Sequence, residues 1–182
     1  GGAQRVLLML ADAFVKRGCV VSLLVVSKRG LLCESVPVEV ELVELCPGCE
    51  GWGQGALAAL ATWRLWWWLR YRRPRVVFSS VTGANIVALL ASRLLWRSPR
   101  IVIREAGNIS DIQSALRIRL LKALYKYADA VIALTPVMAE KLARQLGVAR
   151  RSLHCIPNKV DINYLVEQSA APLDGEVLGR LE

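Results

Sequence analysis

The sequence predicts an α/β fold, a three-layer αβα sandwich with a mostly parallel sheet, on three observations. Short apolar runs alternate with amphipathic stretches of helical length along the chain. One run, Ala128 to Asp161, reads as a complete strand–helix–strand unit, which normally makes a right-handed crossover between parallel strands. Glycines and prolines punctuate the boundaries where such elements must stop. With 182 residues, 54% apolar and 21% charged, one domain of ordinary size has material for a core.

The strand–helix–strand unit carries the clearest local signals. Ala130 to Leu134 is a strand-length apolar run. Thr135 can cap the next helix through its hydroxyl, and Pro136 stands at the first helical position. Val137, Met138, Leu142 and Leu146 form an apolar stripe, and Gly147 is a C-terminal stop. Leu153 to Ile156 is a second strand, ended by Pro157. In such sheets ligands lie at the carboxyl ends of the strands, so Thr135-Pro136 and Pro157-Asn158-Lys159-Val160-Asp161 are the loops of interest.

Upstream, Leu7, Leu10, Ala11, Phe14 and Val15 recur at helical spacing, and Gly18 ends that helix. Val20 to Val26 reads as a buried parallel strand. Val38 to Leu45 alternates apolar and acidic residues, the pattern of a half-buried strand near a sheet edge. After the glycine-rich 51–55, Ala56 to Arg73 is a long helix stopped by Pro74. Its second half interleaves Trp63, Trp66, Trp67, Trp68 and Tyr71 with Arg64, Arg70, Arg72 and Arg73, a composition suited to a membrane–water interface; the alternative is a core helix with a basic end. Arg75 to Ser79 is a strand. A helix runs from Thr82 or Gly83 to about Trp96, and a strand from Arg100 to Arg104. The loop Glu105 to Ser110 follows. A helix over about 111–127 places Leu116, Leu120, Leu121, Leu124 and Tyr125 inward. After Asp161 a short helix reaches about Gln168, and residues 169–182 are linker-like.

Composition narrows the partners. The net charge of +9 favours a polyanion, an anionic membrane or a phosphate-bearing substrate. Nucleic acid is not expected, since the basic residues mark no recognition helix and no such motif occurs. The opening GGAQRV offers no signal peptide. Val81 to Trp96, with Asn85 and Arg93, is too short to span a bilayer. Five cysteines, an odd number, read as reduced cytosolic thiols. Cys46-Pro-Gly-Cys49 lacks the further ligands that zinc would need, and no metal or cofactor is expected. Its simpler reading is a turn between a strand and a helix. The lone His154, inside a strand, reads as structural. A dinucleotide-dependent oxidoreductase would need spaced glycines that GGAQRV lacks.

Several pieces together resemble the amino-terminal, Rossmann-like domain of retaining glycosyltransferases of family four, the GT-B architecture. They are Gly1-Gly2-Ala3-Gln4-Arg5 leading into Leu7 to Ala11, Arg17-Gly18-Cys19-Val20-Val21, Pro74 to Ser79, Ala128 to Thr135, and Ile156-Pro157-Asn158-Lys159-Val160-Asp161. The resemblance implies a domain over residues 1–168, its first, central strand lying before Gly1, with 169–182 leading toward a carboxyl-terminal donor domain. It implies a nucleotide-sugar donor and a cell-surface polysaccharide or lipid-linked acceptor, whose side this half shapes. Transfer by this half alone is not expected. The protein is expected in the cytoplasm, peripheral at the inner membrane face, with an anionic membrane surface as a further partner.

Roles follow from that resemblance and from the chemistry of a diphosphate leaving group, whose developing charge needs N–H groups or cations. Gly1, Gly2 and Arg5 are the candidates for the donor phosphates. Glu105 is the candidate catalytic residue, facing acceptor or sugar, with a loop-stabilising carboxylate as its alternative. Arg104, Asn108 and Ser110 are candidate acceptor contacts. Asn158 and Asp161 fix the turn toward the second domain. A reading from a different class is a non-catalytic module binding phosphate or an anionic membrane.

Overall fold

The computed structural model describes residues 2–28, 35–49, 51–107 and 114–158. The elements in chain order are α1 (Gly2–Val15), β1 (Ser22–Val25), β2 (Glu41–Glu44), α2 (Gln54–Arg72), β3 (Val76–Ser80), α3 (Thr82–Arg93), β4 (Arg100–Glu105), α4 (Ala115–Tyr125), β5 (Ala130–Ala133), α5 (Pro136–Leu146) and β6 (Leu153–Cys155), with a 3-10 turn at Arg150–Ser152. Among the described residues every strand pairing is parallel. Hydrogen bonding divides the strands into a pair, β1-β2, and a four-stranded sheet in the order β3-β4-β5-β6. The expected α/β architecture is present.

The β5–α5–β6 unit forms for the reasons its sequence gives. Thr135 Oγ1 accepts from the Met138 N–H at 3.1 Å, satisfying one of the free donors of the first turn of α5. Pro136 occupies that first turn, and Gly147 closes the helix in the left-handed region at φ 70°, where a Cβ would be strained. Leu142 and Leu146 are buried against Val131, Ala133, Leu121 and Leu124. A second apolar cluster joins Leu45 and Cys46 to Ala61, Leu65 and Leu69 of α2 and to Ala88 and Ala91 of α3. Burial of such side chains contributes about 1.5–3 kcal/mol each, and it is this, more than propensity, that fixes the helices.

Three expectations need correction. Val20 to Val26 is not a buried strand: β1 is shorter and half-buried, and Val20 is fully exposed. Among the described residues β1 pairs only with β2, so one of its edges gains no burial from a neighbour. The inner face of α4 is Leu121, Leu124 and Tyr125, whereas Leu116 and Leu120 are exposed; the stripe is rotated relative to the one read from leucine spacing. Finally, Glu105 is not the first loop residue. It ends β4, in register with Ala133 of β5. His154 lies within strand β6, at the end of the sheet order, and is exposed. The helix expected after Asp161 lies outside the described residues.

Candidate functional site

Because β3, β4, β5 and β6 run parallel, their carboxyl ends meet along one edge of the sheet. Ser79, Ser80, Arg104 and Glu105 are there, and all four are buried. Polar groups in such a place must be paired, and the pairing defines the site.

Glu105 is fully buried. Its Oε1 accepts from the Thr82 hydroxyl at 2.8 Å and from the Gly107 N–H at 3.1 Å. Its Oε2 accepts from the Tyr125 hydroxyl, with the Asn85 amide 3.5 Å away. The carboxyl therefore joins β4, the first turn of α3, the last turn of α4 and the start of the loop after β4. Burial first, and then the adjacent Glu105, raise the Tyr125 phenol above its ordinary value, so it remains a donor. Gly107 is placed by the same contact. A Cβ there would lie 3.3 Å from Glu105 Oε1 and 3.4 Å from Thr82 Oγ1, so the loop passes close over the carboxyl because it has no side chain at that point.

Asn85 is also fully buried. Its Nδ2 donates to the Arg104 carbonyl at 3.1 Å and approaches the Tyr125 hydroxyl at 3.3 Å. The Arg104 carbonyl also accepts from the Val81 N–H at 3.3 Å, and the Val81 carbonyl accepts from the Asn85 N–H at 2.9 Å. These bonds hold Val81 at φ 79°, in a region where a β-branched residue is an outlier costing about 1–3 kcal/mol. The strained residue sits between the buried end of β3 and the start of α3.

Arg104 turns its guanidinium the other way. It donates to Ser80 Oγ at 2.7 Å and to Asn158 Oδ1, tying the ends of β3 and β4 to the turn after β6. The residue is only 3% exposed, and burial pulls its pKa below the ordinary value against the opposing pull of Glu105. Three residues singled out from sequence, Arg104, Glu105 and Asn158, are thus brought into one region of the fold. Gly2, at the start of α1, is exposed with open space where a Cβ would go, and Arg5 lies exposed on the same helix. Gly1, Asn108, Ser110 and Asp161 lie outside the described residues.

Sequence reasoning missed Thr82, Asn85 and Tyr125 as members of this network. Asn85 carried a signal, as a lone amide inside the apolar run from Val81 to Leu90. Tyr125 carried none, since a tyrosine on the buried stripe of a helix reads as core. Among the described residues no group of three or more His, Cys, Asp or Glu side chains is arranged to hold a metal ion.

The model of Glycosyltransferase Family 4 matches residues 1–164. The chain belongs to that family. Two solved structures share its fold. A glycosyltransferase from Rickettsia africae ESF-5 superposes with a TM-score of 0.67 at 13% identity, over 100% of this chain and 45% of that one. HepE of Anabaena, in complex with UDP and glucose, superposes with a TM-score of 0.62 at 19% identity, over 93% of this chain and 47% of that one. The family chain described here thus spans about half the length of either structure. No curated protein is similar to it in sequence at a significant level.

Proposed function

We propose that this family 4 chain is the acceptor-side half of a glycosyltransferase that moves a sugar from a nucleotide-sugar donor to a cell-surface polysaccharide or a lipid-linked acceptor. The observation that carries this reading is the buried network at the carboxyl ends of β3 and β4, reaching through Arg104 to the turn after β6. A parallel sheet offers its ligand site at that edge, and buried polar groups held by a strained turn are of the kind found at functional sites. The 45% and 47% coverage of the two solved structures fits a half that shares its substrate with a second domain, with residues 169–182 as the approach to it.

The roles proposed for individual residues are these. Glu105 has both oxygens engaged and no exposed surface, so it acts as a positioning residue, holding the loop that begins at Gly107. That loop carries Asn108 and Ser110, the proposed acceptor contacts. Arg104 and Asn158 brace the turn that continues to Asp161. Gly2 and Arg5 of α1, together with Gly1 that precedes them in sequence, serve the donor phosphates, where N–H groups and a cation stabilise the departing diphosphate. The proposed location is the inner face of the cytoplasmic membrane, beside the lipid-linked acceptor.

The test is transfer from a panel of radiolabelled nucleotide sugars to membrane-extracted lipid acceptors by the full-length protein. Transfer is expected from at least one donor. Arg5→Ala should raise the KM for the donor, and Glu105→Gln should raise the KM for the acceptor. Absence of transfer with every donor, alongside retained binding to anionic vesicles, would replace this reading with that of a non-catalytic membrane-binding module.

A further inference from the structure

The helix α2 is apolar on two opposite faces. Ala61, Leu65 and Leu69 are buried against the second core cluster. On the other side Trp63, Trp67 and Tyr71 stand four residues apart and are 55%, 50% and 64% exposed. The Trp67 and Tyr71 ring centroids are 4.7 Å apart, and those of Trp66 and Trp67 are 5.8 Å apart. Trp66 Nε1 donates to the Leu94 carbonyl at 3.2 Å, which brings the end of α3 alongside, where Leu94 is exposed and Trp96 is 100% exposed. Exposed apolar side chains gathered on one face mark an interaction surface. Among the described residues no helix is long and apolar enough to cross a membrane.

Charge identifies the partner. From Gly51 to Arg104 the chain contains no aspartate or glutamate, and all six of its tryptophans fall within that stretch. Arg70, between Trp66 and Trp63 in helical projection, and Arg73, in the left-handed cap of α2, are both exposed beside the aromatic side chains. Arg72, by contrast, is anchored to Glu41 and stacks over Trp68. Indole and phenol rings partition to the boundary between headgroups and acyl chains, and arginines extend from it to lipid phosphates. A soluble polyanion would reward the arginines but not the tryptophans, and an apolar protein groove would reward the tryptophans but not the arginines beside them.

We propose that the outer face of α2, with the end of α3, docks the protein onto an anionic bilayer. Trp63, Trp67 and Tyr71 enter the headgroup–acyl boundary, and Arg70 and Arg73 meet lipid phosphates. The proposal deepens the lipid-linked acceptor reading above and rests on it for its purpose, although docking itself needs no sugar transfer. The test is co-sedimentation of the full chain with vesicles of phosphatidylglycerol in phosphatidylcholine, and with phosphatidylcholine alone, with no sugar donor present. Binding is expected only to the anionic vesicles. The triple change Trp63→Ala, Trp67→Ala, Tyr71→Ala should weaken it about tenfold or more, with an unaltered circular dichroism spectrum. Arg70→Gln and Arg73→Gln should each weaken it about fivefold, and added salt should do the same. These arginine variants keep the test decisive if the triple variant does not fold. Vesicle binding untouched by either set of changes would overturn the proposal. So would equal binding to heparin and vesicles, or a lipid-free dimer that the triple change dissolves while wild-type protein ignores vesicles. Failure of the transferase reading would leave vesicle binding intact, so the two are separable.

Discussion

At the carboxyl ends of β3 and β4, a carboxyl, an amide and a guanidinium lie in the dry interior; along the outer face of α2, indole and phenol rings stand in water. Each region reverses the ordinary distribution of polarity, in opposite senses. In the buried centre most groups satisfy one another, so its contribution is cooperative and internal, and the Asn85 Oδ1 atom is the one buried side-chain oxygen among the described residues left without a partner. The aromatic face has no such internal account. Trp63, Trp67 and Tyr71 keep half or more of their surface open, so they are available to a partner. The contrast separates polar groups that shape the molecule from apolar groups that direct it outward.

Mutation sharpens that contrast most at Glu105. Glu105→Ala leaves the Thr82 hydroxyl, the Tyr125 hydroxyl and the Gly107 N–H without their acceptor, and buried groups so stranded cost about 1–3 kcal/mol each. Urea unfolding should show a loss of about 3 kcal/mol or more. Tyr125→Phe, which removes one bond, should cost about 1–3 kcal/mol. Equal stability of the Glu105→Ala protein and wild type would show that the centre does not hold the fold together.

A smaller effect of the opposite sign is expected at Val81. Val81→Gly relieves a φ of 79° worth about 1–3 kcal/mol, at an entropic cost of about 0.5–1 kcal/mol. The net is a stabilisation of about 1 kcal/mol in thermal unfolding. If the strained turn serves the site, transfer activity should fall as stability rises.

The smallest effect belongs to the helix that bears the aromatic face. Glu41 holds Arg72, and the Ser22 hydroxyl at 2.8 Å is the largest cause of a Glu41 pKa below the ordinary carboxylate value, followed by opposing burial and then Arg72. A lowered folded value means that the stability it contributes is present above the ordinary carboxylate range and is lost as pH falls through the lowered value. Because the carboxylate is 46% exposed, the loss should stay below about 1 kcal/mol. Glu41→Gln should flatten that part of the acid-unfolding profile, and an unchanged profile would remove the ion pair from the account of how α2 is held.

Local chemistry in the sequence determined most of the elements. Thr135, Pro136 and Gly147 bound α5 through contacts within a few residues, and Pro74 ends α2 because a proline has no N–H to continue it. Asn158 was legible as a turn residue beside a strand end for the same reason. The core face of α4, the extent of β1 and the burial of Glu105 depended on neighbours far along the chain. No periodicity within residues 100–110 shows that Tyr125 and Thr82 will close over a carboxyl from two other helices. Composition alone showed that α2 mixes tryptophan with arginine, but only packing decided which rings are spent on the core and which remain outside. Capping and turn chemistry act within a few bonds and are written in order along the chain, whereas burial is set by what the folded chain brings alongside, which no single stretch contains.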